Sequence, residues 1–401
     1  MAEIVITGLG IISALGSGIE VTVGRLLSEK SAVEKIKHLQ TTHCDLPAGE
    51  VPYSDTQLRE MLNIAPDYNI TRTSLMGQVA LKEAMSQAKL SDKQDFIVAL
   101  VAGNTVGGME KSEQYYHHVL NDEEYKEYIG LHDCGACTEM IAQGAPFNFD
   151  LVTTISTACS SAANSVFFGA DMLKTGRADI VVAGGTECLS KFHLNGFNTL
   201  MILDSEVCKP FDKNRRGLNL GEGAAFLVME TAESARRRNV VPICKLSGYA
   251  NRCDAFHQTA SSPEGEGAFL AMQGALADAG LQPSDIDYIN AHGTGTPNND
   301  ESEGHAMMRV FGDKIPPVSS TKAFTGHTTS ASGAIEAVIS ILCIVRGFIP
   351  ANLNFSEKID SLNFTPLSKT MQGVNLRHVL TNSFGFGGND SSCIFSKIEQ
   401  Q

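Results

Sequence analysis

Four short strings in this chain of 401 residues contain the side chains that do covalent chemistry. Ser156-Thr157-Ala158-Cys159-Ser160-Ser161 holds a thiol, and Asn290-Ala291-His292-Gly293-Thr294-Gly295-Thr296-Pro297 holds an imidazole. Lys322-Ala323-Phe324-Thr325-Gly326-His327 adds an amine and a second imidazole, and Ser383-Phe384-Gly385-Phe386-Gly387-Gly388 sets glycines around an aromatic. One thiol, two imidazoles and a loop rich in free backbone N–H groups are the parts needed to move an acyl group through a thioester. Cys159 follows a strand-like stretch, Leu151 to Ile155, and precedes a small, apolar, helical stretch from Ser160 to about Thr175. A thiol at a helix N-terminus is expected to have a lowered pKa and to favour thiolate. Most free cysteines are simply buried, so the case for Cys159 rests on the other three strings.

His292 stands directly after a predicted strand, where α/β folds place their chemistry, and His327 sits in a Gly-His turn before a helix of small residues. Neutral imidazole N–H donors can hold a developing enolate or oxyanion. Lys322 is placed to orient a histidine or stabilise negative charge; the plainer reading is an ion pair with Glu336. Phe386 is placed to present its N–H to an oxyanion and to swing its ring as a gate; the plainer reading is a tight loop with two core aromatics. Other strings lose on inspection. Cys134-x-x-Cys137 lacks the second pair of a zinc site, and the Gly8-x-Gly10 after the first strand has Ser13 where a dinucleotide fingerprint needs its third glycine.

The elements that must position these residues alternate. Ile4 to Gly8, Phe96 to Ala102, Asp179 to Ala183, Ala224 to Met229, Ile286 to Asn290 and Ser391 to Ser396 are short apolar runs that read as buried strands. Helical patterns lie between them: Ser74 to Ala88, the Phe269-Met272-Leu276-Ala279 face that stops at Gly280, and Ser332 to Arg346. Such alternation predicts α/β layers. A boundary near Val240 to Pro242 divides the chain into residues 1–241, with the thiol, and 242–401, with both histidines. Residues 110–150 have little strand pattern and read as an inserted helical layer or cap.

The net charge, 31 − 45 = −14, argues against nucleic acid and means that an acidic partner must dock on a local basic patch. Candidates are Lys209, Lys213, Arg215 and Arg216, with Arg236-Arg237-Arg238 as a second cluster that reads more simply as the last turn of a helix. The N-terminus lacks the basic region of a signal peptide, and the longest apolar run, Ala337 to Val345, is too short to span a bilayer. Ten cysteines without a secretion signal predict reduced thiols and a cytoplasmic protein.

The four strings, in this order and spacing, resemble the β-ketoacyl-(acyl-carrier-protein) synthases, decarboxylating condensing enzymes of the thiolase superfamily. Lys209 to Ala224, K-P-F-D-K-N-R-R-G-L-N-L-G-E-G-A, is a fifth match, and the likeness covers nearly the whole chain. The resemblance implies a five-layered αβαβα fold of two similar halves, a homodimer, and acyl carrier protein with malonyl and acyl thioesters as partners. It implies Cys159 as nucleophile, His292 and His327 for decarboxylation and condensation, and Lys322 and Glu336 in support. It implies an oxyanion hole from the N–H groups of Cys159 and Phe386, and a substrate-binding place for Phe384. Thr294 and Thr296 match threonines that hold a pantetheine arm, Val106 an acyl-pocket position at the dimer interface, and Lys209 a carrier-docking position. No redox cofactor is implied; some members hold a structural cation, at the site matched by Asn290, Glu336 and Asn382.

The chain departs from the family in three places. Asn389-Asp390 stands where Thr-Asn is usual, the usual Gly-Pro-Ser before the nucleophile is missing, and residues 110–150 match poorly. The pattern resembles condensing enzymes of specialised polyene or pigment pathways as well as those of fatty acid elongation. Two rivals remain: a coenzyme A thiolase, whose second cysteine would have to be Cys393, and a chain-length-controlling partner subunit of a heterodimer, which usually lacks the nucleophile.

Overall fold

The computed structural model describes residues 2–93, 95–118 and 126–398. Ten strands carry the fold. The first five are β1 (Ile4–Ser13), β2 (Val98–Gly103), β3 (Leu151–Ile155), β4 (Ile180–Glu187) and β5 (Gly223–Thr231). The second five are β6 (Cys244–Cys253), β7 (Tyr288–Asn290), β8 (Val318–Ser319), β9 (His378–Gly385) and β10 (Asn389–Ser396). Both sets pair in the same way. In the first the order is β3-β2-β4-β5-β1, with β2 parallel to both neighbours and the last two pairings antiparallel. In the second the order is β8-β7-β9-β10-β6, with β7 parallel to both neighbours and the last two pairings again antiparallel. The two sets join where Ile4–Ile6 pair with Cys244–Leu246. This repeat of architecture has no counterpart visible in the sequence.

Helices fill the spaces around the strands. They are α1 (Arg72–Gln87), α2 (Ser161–Lys174), α3 (Lys191–Thr199), α4 (Glu266–Ala279), α5 (Pro297–Phe311) and α6 (Ser332–Arg346). One apolar cluster joins α2 and α6 to strands of both sets, so these two helices form the middle layer. A helix buried on all sides must be apolar all round, and α6 is buried from Ser332 to Ile344. With its preceding turn it forms the one helical stretch among the described residues, Thr329–Arg346, long and apolar enough to cross a membrane; 89% of it is buried inside the protein. α1 covers the outer face of the first set and α4 with α5 the outer face of the second. The result is five layers, helix–sheet–helix–sheet–helix.

The predicted strands and helices are present, most of them with shifted ends. β9 is among the strands that lie in stretches with no strand prediction. Thr381, Asn382 and Ser383 interrupt its apolar pattern, yet all three are buried. Consequently the glycine string is not one loop: Phe384 and Gly385 end β9, and Phe386, Gly387 and Gly388 make the turn into β10. Between β2 and β3 the described residues form three short helices, Met109–Tyr115, Lys126–Ile129 and Cys134–Ala142. Residues 119–125 of that segment lie outside the described residues.

Candidate active site

Cys159 sits between β3 and α2. The turn before it is forced: Ala158 takes φ 52°, a left-handed value unusual for a residue with a Cβ. Local hydrogen bonds hold it, with Thr157 N–H donating to Ser161 Oγ at 2.9 Å and Ser161 Oγ donating to the Ala158 carbonyl at 2.6 Å. Small residues let α2 approach its neighbours. A Cβ on Gly103 would stand 2.5 Å from Ala162 N, and one on Gly333 2.7 Å from Ala163 N.

The structure brings the candidate chemical groups to one cavity of about 410 Å³, walled by Cys159, His292, His327, Thr294, Thr296, Phe384 and Phe386. Larger hollows exist, including one of about 740 Å³ beside α1, but its wall carries no thiol or imidazole. Cys159 is the one cysteine on the reactive cavity's wall among the described residues; Cys393 lies buried on β10, away from it. The two imidazole rings meet edge to face with centroids 5.2 Å apart, and the Phe384 ring lies 5.7 Å from His292. Thr294 and Thr296 share a hydrogen bond of 2.9 Å, and Thr296 also caps α5.

Burial decides the charge states. The expected thiolate is not the resting form: loss of water pushes the Cys159 thiol up to about 11, against the opposing pull of the Lys322 charge and of the N–H groups of Phe386 and Cys159. The helix terminus and the cation act in the expected direction, but desolvation is the larger effect. The same burial, reinforced by Lys322, drives His292 and His327 far below the usual histidine range, so both are neutral. Lys322 Nζ donates to the His292 carbonyl at 2.6 Å and faces His292 Nδ1 at 3.3 Å, leaving the ring proton on Nε2. Its ammonium also pairs with Glu336, whose carboxyl burial raises to about 7. The two readings of Lys322, ion pair and histidine support, are therefore one arrangement.

Two carboxylates that the sequence reading missed hold the His292 loop. Glu303 accepts the N–H groups of His292 at 2.9 Å and Gly293 at 2.8 Å, and Asp300 accepts that of Gly295 at 3.1 Å. The signal was available: Asp300 and Glu303 lie three apart on α5, so both face back toward the loop.

Other expected residues lie elsewhere. Val106 is buried in the turn after β2 and does not reach the wall of this cavity. The basic patch is largely neutralised: Lys209 pairs with Glu206 at 3.1 Å, Lys213 with Asp360 at 3.1 Å, and Arg216 with Asp204 at 2.8 Å. Arg215 is buried and donates to the Pro297 carbonyl at 2.7 Å, so it offers nothing to a docking partner. The Arg236-Arg237-Arg238 string closes the short helix Ala232–Arg237; Arg237 lies over Phe96 at 4.7 Å and Arg238 pairs with Glu230 at 3.7 Å. At the expected cation site, Asn290 Oδ1 and Glu336 Oε2 are buried without a hydrogen-bond partner, while Asn382 Oδ1 accepts from Ser392 Oγ at 2.8 Å.

Sequence comparison adds an independent line. The family described as "Beta-ketoacyl synthase, N-terminal domain" matches residues 1–235, and its "C-terminal domain" counterpart matches residues 243–356. The chain belongs to the β-ketoacyl synthase family. Full-length relatives include the 3-oxoacyl-[acyl-carrier-protein] synthase 2 of Coxiella burnetii, 32% identical over 99% of both chains, and that of Staphylococcus aureus, 31% identical over 99% of both. Among solved structures, the ishigamide ketosynthase/chain length factor aligns with a TM-score of 0.91 at 30% identity, over 99% of this chain and 100% of that one. A β-ketoacyl synthase from Burkholderia phymatum aligns with a TM-score of 0.87 at 27% identity over 100% of both chains. The five layers are thus the thiolase-like fold of the ketosynthases, and the family's chemistry, condensation of thioesters to 3-oxoacyl products, is what this constellation is equipped for.

Proposed function

We propose that Cys159 takes an acyl group from an acyl-carrier thioester and that His292 and His327 then drive its condensation with a malonyl-carrier thioester. The observation that carries this reading is one cavity wall with a thiol, two neutral imidazoles and the N–H groups of Cys159 and Phe386. In the first stage the thiol gives its proton to an imidazole as sulfur attacks the acyl carbonyl. The new C–S bond forms, the carrier's C–S bond breaks, and the departing carrier sulfur takes the proton. In the second stage the malonyl C–C bond breaks and CO₂ leaves. The electron pair becomes an enolate whose oxygen accepts N–H from neutral imidazole, with His292 Nε2 held ready by Lys322. The enolate carbon attacks the acyl–Cys159 carbonyl, the two backbone N–H groups take the oxyanion, and as the carbonyl re-forms the C–S bond breaks and Cys159 sulfur leaves as thiolate and takes a proton from solvent.

Thr294 and Thr296, at the mouth beside the histidine loop, are suited to a pantetheine arm, and Phe386 to gating. Carrier docking is left to Arg216, a half-exposed cation on the cavity wall, and to Lys209, although each is already paired with a carboxylate. A monovalent cation fits the unpartnered oxygens of Asn290 and Glu336, where it would balance buried negative charge. The working unit is a pair of chains. The ishigamide structure and that of ApeO with ApeC from Xenorhabdus doucetiae join a ketosynthase with a chain length factor; in such a pair this chain, with Cys159 and both histidines, is the condensing member. The ten free thiols fit a reducing, cytoplasmic setting.

The test is intact-protein mass spectrometry with acyl-carrier proteins of graded chain length, followed by malonyl-carrier protein, with Cys159→Ala as control. An adduct on wild type alone, discharged as a 3-oxoacyl product, is expected. No adduct at any chain length would sink the reading for the isolated chain.

A further inference from the structure

The two N–H groups assigned to the oxyanion hole come from different halves of the chain. That of Cys159 lies at the head of α2 and that of Phe386 in the turn between β9 and β10. The turn has little stiffness of its own, since Gly387 (φ 84°) and Gly388 (φ 77°) are two of its three residues. It is fastened at both ends to the nucleophile segment. On the incoming side Ser383 Oγ donates to the Cys159 carbonyl at 3.0 Å, and a Cβ on Gly385 would stand 2.8 Å from the Thr157 carbonyl. On the outgoing side the fastening is Asn389, the first residue of β10. Its Oδ1 accepts from Ser160 Oγ at 2.7 Å, Asn164 Nδ2 at 2.7 Å and Asn251 Nδ2 at 2.6 Å. Ser160 is the residue next to the nucleophile, Asn164 lies one turn along α2, and Asn251 is on β6. Asn251 also donates to Asn164 Oδ1 at 3.0 Å, which closes the network. Asn389 is one of the two residues at which the string departs from the family's usual Thr-Asn.

We propose that Asn389 is a positioning residue for the oxyanion hole: by tying the start of β10 to Ser160 and Asn164, it fixes the Phe386 N–H relative to the Cys159 N–H. The proposal rests on the acyl-transfer reading above. Asn389 is not on the cavity wall, so it acts through the turn and not on substrate.

Two reactions of Cys159 separate this role from general structural support. Acyl transfer from an acyl-carrier thioester builds an oxyanion; alkylation by iodoacetamide does not. Asn389→Leu keeps the volume and removes the acceptor. It is expected to slow acyl transfer about 10- to 100-fold, with KM and the alkylation rate within about twofold of wild type. Asn389→Asp keeps an acceptor for all three donors and is expected to recover most of the rate. Acyl transfer at the wild-type rate in the Leu variant, or equal slowing of both reactions, would overturn the proposal. A wild-type chain that is alkylated but never acylated overturns the acyl-transfer reading and the proposal with it. If the Leu variant does not fold, Ser160→Ala removes one donor without adding bulk. The same split is then expected at about 3- to 10-fold, and its absence is decisive against Asn389.

Discussion

Lys322 and Glu336 form an ion pair that also holds His292, and the two roles can be pulled apart. Removing one partner of a buried pair leaves an uncompensated charge and costs about 3–5 kcal/mol. Lys322→Met is therefore expected to lower the denaturation midpoint and abolish condensation. Lys322→Met with Glu336→Gln is expected to recover much of the stability but none of the condensation, because the donor to His292 is still missing. Recovery of both would make the lysine structural only. Asp390, the second departure from the family string, gives a pH signature. Burial, then the nearby Asp254 and Glu303, push its carboxyl up to about 8. A carboxyl raised on folding stabilises fully below its unfolded pKa, and that contribution is lost as pH rises through the folded value. Wild type is therefore expected to lose stability between about pH 4 and 8. Asp390→Asn should flatten that slope and melt higher at the alkaline end; an unchanged pH–melting curve would show that Asp390 ionises freely.

At the scale of the element, the turn between β9 and β10 depends on close approach. Gly388 has a positive φ, and a Cβ there would stand 2.0 Å from the Asp254 carbonyl oxygen. Gly388→Ala is expected to cost about 1–3 kcal/mol and to reduce acyl transfer through displacement of Phe386; full activity with an unchanged melting point would refute this. The same turn shows what the sequence could and could not reveal. Strands such as β4 and β5 are continuous apolar runs and were legible as buried. β9 was not, because Asn382 and Ser383 are buried through hydrogen bonds to Glu303 and the Cys159 carbonyl, which no apolar pattern announces. The four strings picked out side chains that the fold brings to one cavity, Cys159, His292, His327, Phe384 and Phe386. The charge state of Cys159 was misread, because helix dipole and cation are visible in sequence order while the depth of burial is not. Lys213 looked free for a similar reason, since its acidic partners Glu357 and Asp360 come from a distant segment, whereas Glu206, three residues before Lys209, was there to be read.

At the scale of the whole molecule, the first set of strands ends in an open edge. Among the described residues β3 pairs only with β2, and Leu151 at its start is 41% exposed. An unpaired edge beside exposed apolar side chains is where the proposed second chain would add. Leu151→Asp is expected to shift the sedimenting species from two chains to one; an unshifted dimer would place the interface elsewhere. The repeat of five strands has a further consequence. β3 runs into Cys159 and α2 in the first half; β8 runs into Lys322, His327 and α6 in the second. These are corresponding corners of two copies of one design, and they face each other across the middle layer. Had the copies been identical chains, each corner would have carried the same residue, thiol opposite thiol or imidazole opposite imidazole. Linking them in a single polypeptide removes that symmetry, so each copy is free to specialise, one toward donating hydrogen bonds to developing negative charge and the other toward carrying cargo.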